Sequence, residues 1–511
     1  MVTRITGLAS GMDIDSIVKN LMKAERAPLN KLNQQKQLME WKREGYRETS
    51  TKLVSFLQDK LSKLSSNAVL NAQSAKITGD TSAVTAVASS SASGVLDVKV
   101  NKLATTSTAV SDSAAWKTIG AGKTTMGDFG FADGKVRIGM DEIDVQATDT
   151  VEVFVAKINT SKTAGVTAIY DPENGLSLSS KSTGKANSFV TASTATADST
   201  MIIADDIVNK FKLKLTDGDD AEAVINGLTV KKSSNTFDVN GIMLTLNSAT
   251  PTGGVAAHIE VTKNTEKIVE AVQSFVDAYN DLLSSLNSKV REERYRKYSP
   301  LSDEERSAMS DDEAKLWTDK AKSGMLKNDS ILQQTITDMR TAIIQGVDIG
   351  RTVKENGVDV NKPLMLTELG ITTGVYQTNG KLELDVEKLK QALDKDPSIV
   401  SSFFGQNYSA AFSDNEYKPT DGVFAKMLKI SNAALEQMTQ TAGTSKVSKD
   451  LTAAFQSNST MGTELTNLDR RISEMVAKLN RIETNYFKRF TAMETAMNKY
   501  NSTASSLFGM S

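Results

Sequence analysis

Between Leu465 and Tyr500 the apolar residues recur in steps of three and four: Leu465, Leu468, Ile472, Met475, Leu479, Ile482 and Tyr486. That spacing is a heptad seam, and a heptad seam requires a partner helix with a matching stripe. From Tyr486 to Phe490 the step is four again, before Met493, Met497 and Tyr500 resume the rhythm. Two fours in succession make a stutter, which relaxes a left-handed supercoil toward straight packing. At 1.5 Å per residue the segment spans roughly 54 Å, much longer than a helix of an ordinary globular core. Whatever else the chain builds, it must accommodate this rod.

The other end of the sequence offers a partner. Asp13 is placed to cap a first helix striped by Ile14, Ile17, Leu21 and Met22, with Pro28 at its far end. A second helix then carries Leu32, Met39, Tyr46 and Leu53 at intervals of seven, so it has the period to lie beside the C-terminal seam. The first helix is short enough to be marginal alone, which predicts that its stripe is ordered by assembly.

Composition narrows the function. Lys and Arg total 60 against 62 Asp and Glu, a net charge of -2 that offers no field for nucleic acid. No stretch of about 18 apolar residues could cross a membrane, and Met1 to Asn20 lacks the apolar core of a cleavable signal. Cysteine is absent, which excludes disulfides, thiolate chemistry and Cys-based zinc sites. It also suits a chain that passes between redox compartments. One histidine, His258, sits in an alternating stretch and reads as an incidental strand residue.

Between the helical ends the code changes. Residues 71–94 are rich in Ala, Ser and Thr, then Leu96, Val98 and Val100 alternate with polar residues as a half-buried strand. Val151, Phe154, Val155 and Ile158 have helical spacing, and Asn174-Gly175 and Asn226-Gly227 mark hairpin turns. Helical period returns with Val272, Phe275, Tyr279, Leu282 and Leu286, predicting a helix over about 265–290. Ser302 to Glu305 has capping-box form, Ile331 to Met339 stripe another helix, and shorter ones are expected near Ser398 and Phe424. The fold class this predicts is multidomain α+β: long terminal helices forming a coiled-coil leg, with β-rich head domains inserted. The expected divisions are a terminal helical segment at 1–40, a helical leg from 41–75 and 265–470, and a C-terminal coiled-coil helix at 471–511. An inner β-rich head is expected from 76–110 and 206–264, and an outer α+β head from 111–205.

No chemical motif survives inspection. Gly122-Lys123-Thr124 lacks the earlier glycine of a phosphate loop, because that position is Lys117. Asp217-Gly218-Asp219-Asp220 lacks the spaced ligands of a calcium loop. The basic run Arg291, Arg294, Arg296 and Lys297 is neutralised by Glu292, Glu293, Asp303 and Glu304, as at a helix end or subunit contact. We expect no enzyme, metal or cofactor.

Five blocks in order carry a family resemblance. They are Gly7-Leu8-Ala9-Ser10-Gly11-Met12-Asp13-Ile14-Asp15 continuing to Pro28-Leu29; Ile225-Asn226-Gly227 with Ser234-Asn235-Thr236; and Phe275 to Asn280 with Pro300-Leu301 and Gly324 to Asp329. The remaining two are Leu369-Gly370-Ile371 with Gly380 to Asp385, and Arg489 to Glu494. Together they closely resemble the flagellar hook-associated protein 2 family, the caps of bacterial flagellar filaments; residues 110–205 carry no comparable block. The resemblance implies a non-enzymatic protein, exported unfolded and secreted to the flagellar tip. It would assemble there as a homo-oligomer, commonly a pentameric ring, and guide flagellin into place. It further implies contacts with hook–filament junction proteins and a cytoplasmic export chaperone, and for some members binding to host mucins or other glycans. Alternative readings are another axial filament or junction subunit, or a surface adhesin.

Overall fold

The computed structural model describes residues 12–355, 357–374, 379–409 and 415–508, so block residues Gly7 to Gly11 lie outside the described residues. The chain divides into two units, Met1–Leu70 with Thr265–Ser511, and Asn71–Asn264. In the first unit both ends of the sequence meet, and the second is one continuous insertion.

The principal helices of the first unit are α1 (Ile14–Glu25), α2 (Ala27–Ser55), α3 (Thr265–Arg291), α4 (Asp311–Lys322), α5 (Ser330–Ile344), α6 (Val423–Ala442) and α7 (Thr460–Phe508). Pro28 falls in the first turn of α2, where its missing N–H leaves no vacancy in the hydrogen-bond ladder. Ser302 and Glu305 form the expected capping box, and Ser310 with Glu313 forms a second one that opens α4. The helix near Phe424 is α6, twenty residues long rather than short; near Ser398 the expected short helix covers residues 399–405, its last five, Ser401–Gly405, π-helical.

From Val423 to Ser431 every residue of α6 is buried, the pattern of a helix surrounded by protein rather than lying on it. Its two lysines are buried with it. Lys426 Nζ donates to the Gly346 carbonyl at 2.5 Å, just past the end of α5, where carbonyls lack helical partners. Lys429 Nζ lies 3.1 Å from Asp421 and donates to the Glu416 carbonyl at 3.0 Å. Burial pushes the Lys426 ammonium below its ordinary range, with Asp421 opposing the shift. Phe424 of the same helix packs with Phe275 and Phe404, ring centres 5.2–5.3 Å apart.

The second unit holds two β-rich cores. One lies between a five-stranded sheet ordered Gln73–Gly79, Ala257–Lys263, Val95–Lys102, Ala221–Ile225, Leu228–Lys232 and a three-stranded sheet ordered Thr236–Val239, Ile242–Leu246, Val84–Ala88. Leu96, Val98 and Val100 point into it, as their alternation predicts. His258 pairs across strands with Asp97, its Nδ1 2.7 Å from the carboxylate, on an exposed face. At the Asn226-Gly227 turn both residues have positive φ, 49° and 85°, as a type I′ hairpin requires.

The other core is built on Trp116, which stacks on Phe129 at 5.5 Å and Phe211 at 6.0 Å while its indole N–H donates to the Pro172 carbonyl. Helix Val151–Thr160 packs into the same cluster through Val151, Phe154 and Ile158. Strands Thr106–Ser111 and Leu213–Thr216 pair with each other, and the former also with Gly175–Thr183. The expected head boundaries near 110 and 206 place these strands with the inner head, whereas their partners and cluster neighbours belong to the outer one. The reason is register: Ala109 and Leu213 carry their apolar sides into the Trp116 cluster.

Candidate assembly surface

The terminal helices meet inside one chain. Asp13 caps α1, its carboxylate accepting the Ser16 amide at 3.0 Å and the Ser16 hydroxyl at 2.6 Å, which holds the carboxyl below its usual range. Ile14, Val18 and Met22 form a row at four-residue spacing and bury against Leu479 of α7. Leu29, Met475, Ile482, Tyr486, Phe487 and Phe490 surround that contact, partly covered. The Tyr486 hydroxyl donates to Glu25 at 3.2 Å, and this bond pushes the phenol up.

Further along, Leu32 is buried on α2, as are Leu465 and Leu468 on α7. Lys36 Nζ sits 2.6 Å from Asp469, and that hydrogen bond raises the ammonium above its ordinary value. The pairings 25 with 486 and 36 with 469 run in opposite senses, so α1–α2 and α7 are antiparallel.

Two features depart from the sequence expectation. Val18 occupies the seam in place of Ile17, which is half-buried, and Leu21, which is 40% exposed. Contact follows the i, i+4 row from Ile14, and Ile17 and Leu21 lie on the other flank of the stripe. Tyr46 and Leu53 are buried, but not against α7. Counting back from Lys36–Asp469, α7 runs out of residues before reaching them, because it starts at Thr460. In its place Arg43 donates to the Ala442 and Gln456 carbonyls at 2.6 and 2.8 Å, and Arg47 to Ala453 at 3.1 Å. Both guanidinium groups lie over the Phe455 ring, at 4.2 and 4.3 Å.

Tyr46 instead donates to Asp329 at 2.5 Å, and the same carboxylate accepts the Ile331 and Leu332 amides that open α5. Burial, reinforced by Asp329, pushes the Tyr46 phenol up. The heptad period thus continues past the seam, and its upper residues serve the helical core. Met39, Ile472, Met475, Ile482, Tyr486 and Phe490 are only half-buried, since a contact between a few helices leaves one flank of each stripe open. The Tyr46–Asp329 lock was missed in the sequence; its signal was Asp329 standing two residues ahead of the Ile331 stripe, at an N-cap position.

The surface so built is a long antiparallel helical leg with partly covered apolar flanks. Among the described residues no helix is long and apolar enough to cross a membrane. Family models match most of the chain: flagellar hook-associated protein 2 N-terminus over residues 10–107 and C-terminus over residues 218–502. Residues 136–182, where the sequence offered no block, match the flagellin hook IN motif. The flagellar hook-associated protein 2 of Halalkalibacterium halodurans is 28% identical over 553 residues, covering 99% of both chains. The A-type flagellar hook-associated protein 2 of Pseudomonas aeruginosa is 25% identical over 539 residues, covering 98% of this chain and 96% of its own. A crystal structure of the D1-D2-D3 domains of the Escherichia coli flagellar cap protein FliD aligns with TM-score 0.48 at 20% identity, over 83% of this chain and 99% of that one. The chain belongs to the flagellar hook-associated protein 2 family, structural cap proteins that promote assembly of the bacterial flagellar filament.

Proposed function

We propose that this protein is secreted, acts at the tip of the growing flagellum as a homo-oligomeric ring, pentameric in its simplest form, and guides flagellin into the filament beneath it. The helical unit forms the legs, through the seam of α1, α2 and α7, and the β-rich unit forms the ring's plate. Hook–filament junction proteins and an export chaperone are its further partners. The observation that carries this reading is that the two matched family segments lie toward the two ends of the chain, whose terminal helices fold against each other. No observation favours an adhesin or another axial subunit over it.

The test is complementation. Cells lacking this protein should shed unpolymerised flagellin and carry hooks without filaments in electron micrographs. Supplying the full chain should restore filaments with a terminal ring. Filaments of normal length in the deletion strain would overturn the reading.

A further inference from the structure

Asparagine followed by glycine is a reactive pair in any polypeptide, because a residue with no Cβ lets its nitrogen approach the preceding side-chain amide. The chain has five such pairs, at Asn174, Asn226, Asn240, Asn356 and Asn379. Asn356 lies outside the described residues, and Asn379 has a bonding partner. The other three asparagines are all exposed, so water reaches them alike. They differ in what holds the amide. Asn226 is fastened at both ends of its side chain: Oδ1 accepts the Asp97 amide at 2.8 Å, and Nδ2 donates to the Val95 carbonyl at 3.3 Å. Asn174 Nδ2 donates to Asp171 Oδ1 at 2.8 Å, and that oxygen also accepts the Asn174 main-chain amide. Among the described residues the Asn240 side chain makes no hydrogen bond.

Asn240 and Gly241 otherwise repeat the Asn226-Gly227 turn, with φ of 52° and 79° between the paired residues Val239 and Ile242. Their strands are placed differently. Ala221–Ile225, which enters the first turn, has a neighbour on each side in its sheet, whereas Thr236–Val239, which enters the second, is a four-residue edge strand. A strand held by one ladder opens more readily, and opening lets the Gly241 nitrogen swing toward the side chain. That nitrogen donates to Asp238 Oδ1 at 3.3 Å, so a proton acceptor already stands beside it. We infer that Asn240 is a site of self-modification. The Gly241 nitrogen forms a bond to Asn240 Cγ, the Cγ–Nδ2 bond breaks, and the amide proton, relayed by Asp238, leaves with Nδ2 as ammonia. Water then opens the imide ring, giving aspartate by attack at Cγ or isoaspartate by attack at the main-chain carbonyl. Isoaspartate lengthens the main chain by a methylene, at a turn whose Gly241 carbonyl accepts the Ser89 amide at 2.9 Å. The product therefore loosens the three-stranded sheet.

The test follows the full chain as it ages in mildly alkaline buffer, by peptide mapping that separates aspartate from isoaspartate. Asn240 should convert at least about tenfold faster than Asn226 or Asn174, with isoaspartate among its products. In urea, where no fold distinguishes them, the three should convert at similar rates. Conversion of Asn240 no faster than Asn226 in the folded chain would overturn the inference. So would aspartate formed there without isoaspartate, which is direct hydrolysis, or a lead for Asn240 that persists in urea. The loosening has its own control in Asn240→Asp, which adds the charge and keeps the main chain. Hydrogen exchange should show protection lost across residues 236–246 in aged protein and kept in that variant. Equal protection in fresh and aged protein, or equal loss in Asn240→Asp, would refute the effect of the longer main chain.

Discussion

The two units bury different things. In the β-rich unit the buried polar residues are Ser107, Ser111 and Ser180, small hydroxyls that each donate to a backbone carbonyl. Every charged residue buried among the described residues lies in the helical unit: Asp329, Asp421, Lys426, Lys429 and Glu494. A sheet fixes its own register through the ladder, and a slip by one residue turns every side chain to the wrong face. Packed helices lack that ladder, and an apolar helix loses little by rotating or sliding by a turn. A buried ammonium that must meet one particular carbonyl removes the freedom. We read the buried charges as devices of alignment, since such groups contribute little net stability against an apolar replacement of both partners.

Breaking one partner is a different matter, and gives the largest expected effect. Asp421→Leu removes the carboxylate that faces the buried Lys429 ammonium and should cost the helical unit about 3–5 kcal/mol. Hydrogen exchange should show lost protection across α5 and α6 while strands of the β-rich unit keep theirs. Equal loss in both units would erase the distinction drawn above.

Leu479→Ala should cost about 2–3 kcal/mol, toward the low end for buried leucines because the seam is open on one flank. Protection should fall first in Ile14 to Glu25. Tyr46→Phe removes one hydrogen bond to a charged acceptor and should cost about 1.5–3 kcal/mol, nearer the lower figure since Asp329 keeps its two amide donors. Urea melts of the full chain can check both, provided far-ultraviolet circular dichroism follows the helices.

The smallest effect is one of acidity in the β-rich unit. Lys214 and the Ala115 and Ala114 amides hold the Asp112 carboxyl down to about 2, against an ordinary 3.8. A depressed carboxyl contributes stability that is present above the ordinary value and is lost as pH falls through the folded-state value. Stability of this unit should therefore decline between about pH 4 and pH 2, and Lys214→Ala should shallow that decline. A decline of unchanged slope in the variant would remove Lys214 from the account.

Much of this architecture is legible in the sequence, because its signals are local. The stripe Val272 to Leu286 becomes α3, Asn226-Gly227 becomes a turn, and alternation at Leu96 to Val100 becomes a strand. Less legible is whatever depends on who stands opposite. Ile17 and Val18 both fit the α1 stripe, and only the position of Leu479 decides between them. Tyr46 and Leu53 keep the heptad period after their expected partner has ended. In α6, Lys426 and Lys429 interrupt an apolar run as if they marked a solvated face. Both are buried, because carbonyls and a carboxylate await them. Period identifies an element; its partner is a tertiary fact.

The union of the chain's two ends also has a kinetic consequence. Tyr486 bonds Glu25 across 461 residues, and Lys36 meets Asp469 across 433. The β-rich unit, by contrast, is a single run from Asn71 to Asn264. A chain emerging N-terminus first can complete the second unit long before the first, because α1 and α2 must wait for the last helix to arrive. Contacts so distant in sequence form slowly, since closing so large a loop costs entropy before any contact rewards it. Until then the stripes of α1 and α2 remain open to whatever lies nearby. The order of emergence thus sets an interval in which these legs are receptive to partners other than their own chain.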